Sequence, residues 1–212
     1  TGGTTTLQAY NPTTDTWNTL ASMPGRRYQG DGAGVINGEL YVAGGWNSGL
    51  PQSQLFVYNP GTNSWSSKAS MPTLSGDGAS GVINGKLYVT TAANGYSGYR
   101  NYLHVYDPAT NTWSSLASSP NAHAAPAFGV IDSKFYVAGG DDANGANSSK
   151  LDVYDPATNT WATKASMPAA GTHLASGVFN GKLYVIGGYY SAASNTVYVY
   201  DPSADTWTTE TS

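Results

Sequence analysis

Cysteine is missing from all 212 residues, and charge is scarce, with 9 Lys+Arg against 13 Asp+Glu. The first absence excludes disulfides, thiolate metal sites and cysteine nucleophiles together. The second leaves a net charge of −4 and no basic footprint of the kind that phosphate binding needs. Nucleic acid is therefore not an expected partner. No apolar run approaches the ~20 residues of a membrane helix, so no membrane contact is expected either. The opening Thr1-Gly2-Gly3-Thr4 shows no charged start and no apolar stretch, and hence no visible signal peptide. The compartment stays open, with an extracellular or cell-surface setting favoured. The strong helix formers Glu, Lys, Leu and Arg are also sparse. Abundant Gly, Ser, Thr, Asn and Tyr point instead to an all-β fold.

What is present repeats. Trp17, Trp65, Trp113, Trp161 and Trp207 are separated by 48, 48, 48 and 46 residues, and each stands six residues after the first member of an Asx-Pro pair, from Asn11-Pro12 to Asp201-Pro202. Double glycines close an apolar run at Gly44-Gly45, Gly139-Gly140 and Gly187-Gly188, where the second unit has Ala92-Ala93. A period this strict in bulky residues marks repeated supersecondary units. Each unit reads as four short strands. Asn37-Gly38, Asn84-Gly85 and Asn180-Gly181 predict two-residue hairpins between the first two, with Asp132-Ser133 as a weaker version. An alternating third strand such as Leu55-Phe56-Val57-Tyr58 ends at the Asx-Pro turn, and the Trp strand follows.

A four-stranded sheet cannot bury both faces alone, so the units must stack, and radial stacking gives a β-propeller. The apolar run, Gly-Gly, spaced Tyr, Asx-Pro and Trp resemble the kelch repeat over essentially the whole chain. That resemblance implies an all-β propeller of four-stranded antiparallel blades. It implies little about activity, because the family includes protein-binding adaptors, actin-associated proteins, a copper oxidase and a sialic acid epimerase. The expected units are a half-blade over 1–24 and blades over 25–72, 73–120, 121–168 and 169–212. Five Trp strands but four inner strands leave three readings: an excerpt of a longer propeller, self-association through residues 1–24, or a small five-bladed ring.

Positions shared by all blades are explained by folding, and those that differ carry whatever is specific. The shared set holds the five tryptophans together with Tyr58, Tyr106, Tyr154 and Tyr200. The variable set lies in two loop families, after Met-Pro and after the double glycine, expected on one face. From these come the expected ligand-binding residues: Arg26, Arg27, Tyr28, Trp46, Tyr96, Tyr99, Arg100, His123, Asp141, Asp142, His173, Tyr189 and Tyr190. Aromatic and Arg side chains suit binding hot spots. The leading expectation is a non-catalytic module that presents this face to a protein or glycan, without cofactor or metal. An alternative is a carbohydrate-active enzyme, epimerase- or lyase-like, with His123, His173 and Asp77 as acid–base groups. A third is a structural or engineered scaffold without ligand. A copper site like that of the family's oxidase needs a Tyr–Cys crosslink and is excluded. His104 reads as a surface residue of a third strand. Asp141-Asp142 lacks the full spacing of a Ca²⁺ loop, and Asn147-Ser148-Ser149 forms a glycosylation sequon.

Overall fold

A computed structural model of the protein describes residues 3–28, 32–93 and 99–210, all strand, turn and loop. Strands β1 (Leu7–Asn11) and β2 (Thr16–Leu20) form a two-stranded ribbon. Four antiparallel four-stranded sheets follow, here called blades I to IV. Blade I contains β3 (Gly32–Ile36), β4 (Glu39–Ala43), β7 (Leu55–Asn59) and β8 (Ser64–Lys68), with a small ribbon of β5 (Trp46–Asn47) and β6 (Leu50–Pro51) above it. Blade II runs β9 (Ser80–Ile83), β10 (Lys86–Ala93), β11 (Tyr99–Asp107) and β12 (Thr112–Ser115). Blade III runs β13 (Ala127–Ile131), β14 (Lys134–Ala138), β15 (Leu151–Asp155) and β16 (Thr160–Lys164). Blade IV runs β17 (Ala175–Phe179), β18 (Lys182–Ile186), β19 (Val197–Asp201) and β20 (Thr206–Glu210).

Local chemistry sets each blade. Both residues of Asn37-Gly38, Asn84-Gly85 and Asn180-Gly181 have positive φ, the geometry that matches the twist of a tight hairpin. Asp132 and Ser133 adopt it too, at φ 48° and 58°, without glycine's freedom. At the Asx-Pro turns, Asp107, Asp155 and Asp201 accept the backbone N–H two residues on. Each also pairs with the lysine that opens its own second strand, Lys86, Lys134 or Lys182, at 2.8 Å. In blade I Asn59 and Glu39 take that place, Asn59 Nδ2 donating to the Glu39 carboxylate at 2.9 Å.

The cores lie between blades. One joins I to II (Tyr41, Leu55, Leu87, Tyr106), a second II to III (Tyr88, Leu103, Phe135, Tyr154), a third III to IV (Tyr136, Leu151, Leu183, Tyr200). The inner strands β3, β9, β13 and β17 meet edge by edge at a glycine. A Cβ on Gly34 would lie 2.6 Å from Val82, one on Gly81 2.6 Å from Val130, and one on Gly129 2.5 Å from Val178. Each valine thus seats in the preceding blade's glycine.

The tryptophans act at the outer rim. Trp65, Trp113, Trp161 and Trp207 donate their indole N–H to the carbonyls of Ala21, Ala69, Ala117 and Ala165 in the preceding unit, at 2.7–2.8 Å. The N–H of each alanine goes to Asn63, Asn111, Asn159 or Asp205, held at positive φ. That same Asx oxygen accepts the hydroxyl of Tyr58, Tyr106, Tyr154 or Tyr200. One alanine peptide is therefore gripped on both polar groups at every junction. The ribbon carries the same device unfilled: Tyr10 donates to Asp15 at 2.8 Å, and Trp17 is 66% exposed. Val35, at 62% exposure, meets no inner strand of a preceding unit among the described residues, and a Cβ on Gly177 would meet nothing within 4 Å.

Candidate functional site

The two loop families meet on one face. Tyr28 pairs with Trp46, Ala124 with Asp141 and Thr172 with Tyr189 through antiparallel bridges, each joining the loop after Met-Pro or Ser-Pro to the loop after the double glycine. The double glycines turn the chain there with positive φ, at 60° and 85° for Gly44 and Gly45. Blade II lacks them, and its central strands continue outward instead. β10 and β11 are eight and nine residues long, with a register shift between Thr91 and Ala93. This extension carries Tyr99 and Arg100.

A cleft of about 270 Å³ opens at this mouth. Tyr28 and Trp46 form one wall, their rings stacked at 6.5 Å and 15°. Tyr99 comes from the extended hairpin, and Asp77, Asp141, His173, Gly49 and the Ala124-Ala125 backbone complete the lining. Asp77, Ala125 and His173 occupy one repeat position, and all three sit in the left-handed region at φ 67°, 53° and 55°. The loop geometry is thus common to the blades, while the side chain it offers differs.

Burial raises the Asp77 carboxyl, and nearby Asp141 raises it further, against the opposing Trp46 indole and His173. Burial likewise raises Asp141, with Asp142 adding to the shift while Thr172 and His173 oppose it. Tyr99 is pushed up by burial and by the two carboxylates. Asp77 Oδ1 and Trp46 Nε1 are closed off from solvent without a completed hydrogen bond.

The expected residues separate into several places. Tyr28, Trp46, Tyr99, Asp141 and His173 share the cleft, joined by Asp77. Arg100 points to the other side of its strand, as period 2 requires, into a groove with Thr73, Leu74, Thr91 and Tyr102. Arg26 is exposed beside the mouth. Tyr189 is exposed, whereas Tyr190 packs on Gly171 and edge-on to Tyr198. Asp142 caps its own turn, accepting the N–H groups of Asn144 and Ala146. Tyr96 lies outside the described residues. Asn147 of the sequon gives its side-chain N–H to the carbonyls of Tyr189 and Tyr190, which ties it into the loop.

Two expected ligand residues are corrected, because both turn into their blades. Arg27 is buried, donating Nε to Gly44 O at 2.8 Å and Nη2 to Gln54 at 2.8 Å, with its guanidinium 5.1 Å from the centre of the Phe56 ring. His123 is buried at the same repeat position. Its Nδ1 lies 2.7 Å from Gly139 O and its Nε2 3.0 Å from Asp152 Oδ2. Acceptors thus face both ring nitrogens and hold the imidazole between them. Asp152 is wholly buried and also accepts from Ser119, Asn121 and Thr163. Burial alone would raise its carboxyl, but the bonds from His123, Thr163 and Asn121 together hold it down at about 2. His123 therefore does not join Asp77 and His173 as an acid–base group.

His104 is corrected as well. It is 3% exposed and lies between Thr73 Oγ1 and Ser115 Oγ, at the strand position of Phe56 and Asp152. A comparison of positions across the repeat was the signal available for these buried groups. Where one blade has Arg the opposing strand position is Phe, where another has His it is Asp, and where a third has Gly it is Tyr. Among the described residues no group of three His, Cys, Asp or Glu is placed to hold a metal ion.

The model of the KLHDC2/KLHL20/DRC7 Kelch-repeats domain matches residues 30–212. The chain belongs to the Kelch-repeat family. No curated protein matches it. Kelch-repeat domains generally mediate protein–protein interaction, and the architecture of this Kelch-repeat protein is consistent with a non-catalytic binding module.

Proposed function

We propose that this Kelch-repeat protein binds a protein partner at the mouth formed by its two loop families. One observation carries the reading: variable residues from all four blades, Tyr28, Trp46, Asp77, Tyr99, Asp141 and His173, meet there in one aromatic-walled cleft. The junction residues are used up in packing, and the buried His and Arg in blade-internal bonds. The cleft residues are among those left over. Aromatic side chains around a concave surface supply large contact area at small entropic cost. An acid–base enzyme at the same place finds less support, because His123 is committed to Asp152 inside blade III.

Site-specific photo-crosslinking tests the reading. A photoreactive phenylalanine at Tyr189, on the mouth, should trap a protein partner, whereas one at Phe179, on the opposite hairpin end of blade IV, should not. Crosslinks from position 179 alone would place the interface elsewhere.

A further inference from the structure

Repeats again provide the control. Asp77 stands where the next two blades have Ala125 and His173, and Asp141 where blades I and IV have Trp46 and Tyr189. Neither carboxylate is required by the fold, yet both line one cleft together with Tyr28, Trp46 and Tyr99. No Lys or Arg lines it, and His173 is the one basic side chain in its wall. The contrast with blade III is informative. There the buried Asp152 has every oxygen satisfied, whereas the Asp77 carboxylate lies by the Trp46 indole without a completed hydrogen bond at Oδ1. Asp77 and Asp141 thus bring two carboxylates to a cleft whose one basic wall residue is His173, beside flat aromatic faces.

We infer that this cleft receives the guanidinium of an arginine side chain from the protein partner, a refinement that rests on the mouth being the binding face. Guanidinium is planar, stacks on aromatic rings and presents forked donors to carboxylates. Lysine is a compact point charge that gains less from the stacked rings. A bare metal ion lacks a ligand set among the described residues. An acidic peptide would meet like charge from Asp77 and Asp141.

The test is a randomised heptapeptide display library, selected on the wild-type chain and on the Asp77→Asn/Asp141→Asn variant. Asn tolerates the left-handed backbone of position 77 as well as Asp does, so the variant keeps the loop geometry. The expected result is a shared arginine among wild-type binders that disappears on the variant. A synthetic copy of the best binder should lose affinity by about tenfold or more when that arginine becomes citrulline, which keeps the shape and removes the charge. The citrulline arm needs no protein variant, so misfolding cannot mask the answer. Binders enriched in lysine, in acidic residues or in neither, or a citrulline peptide of equal affinity, would overturn the arginine assignment. If such peptides still shift the Trp46 indole N–H resonance, binding at the mouth stands without it. If no peptide is enriched, or shifts map elsewhere, both readings fall.

Discussion

Replacing Asp152 by Asn removes one charge from a carboxylate that solvent does not reach. Asn keeps the shape, and its amide can face Thr163, whose hydroxyl is free to turn and accept. Its oxygen can still accept from Ser119, Asn121 and His123. What is lost is charge beside an imidazole whose other nitrogen is held by Gly139 O. The folded carboxyl titrates at about 2 against an ordinary value of 3.8. At about 1.4 kcal/mol per pKa unit, the depression contributes about 2–3 kcal/mol. For a chain of this length, that is a fall in Tm of roughly 5–10 °C. The sign of the pH dependence follows from the depressed pKa. The contribution is complete above the unfolded value of 3.8 and drains away as pH falls from there towards about 2. Urea unfolding of both proteins across that range, followed by Trp fluorescence, should therefore show a gap at neutral pH that closes in acid. A variant within about 0.5 kcal/mol of wild type at pH 7, or a gap that persists unchanged at pH 2, would refute this account of the buried carboxylate.

Further expectations concern the repeat itself. Ser133→Gly relieves a left-handed residue in the one hairpin turn without glycine, and should stabilise by about 0.5–1 kcal/mol in the same urea assay. Gly81→Ala drives a methyl into Val130 and Phe135 and should cost roughly 1–3 kcal/mol, while Gly177→Ala, which meets nothing within 4 Å, should be neutral. Trp113→Phe loses the 2.7 Å bond to Ala69 and should cost about 0.5–1.5 kcal/mol. Trp17→Phe, at an unfilled junction, should leave the urea midpoint in place.

The blades were legible because their signals are local and recur. Asn-Gly needs only its own backbone preference to announce a hairpin, and a 48-residue spacing of Trp needs only counting. The shared face of the two loop families followed from strand alternation alone. The directions of individual loop side chains did not. Arg27 and His123 sit in loops, where exposure is the ordinary expectation, yet each reaches inward to a carbonyl of its own blade. What decides this is the residue opposite in the third strand, Phe56 or Asp152, some 29 positions away. Asp77 was legible as an acid but not as a wall of the same cleft as Tyr28 and Trp46. That proximity depends on blade-to-blade geometry which no single repeat encodes. Arg100 and Tyr99 are neighbours in sequence, and alternation sends them to different grooves.

The gripped alanine peptides have a consequence for how this protein comes apart. Blades II and III are held on both sides, by two rim clamps and two inter-blade cores, whereas blade IV and the ribbon share one such boundary each among the described residues. In a linear array, freeing an end unit gives up one boundary and freeing an inner unit gives up two. Opening should therefore begin at the ends. Amide exchange would be fastest in residues 7–20 and 175–210, and the slowest protons would sit in the blade II and III strands that carry Leu87, Leu103, Phe135 and Leu151. The mouth cleft draws its residues from all four blades and lies across this gradient. Tyr99 and Asp141 stand on the most protected units, and His173 enters from the one most ready to leave.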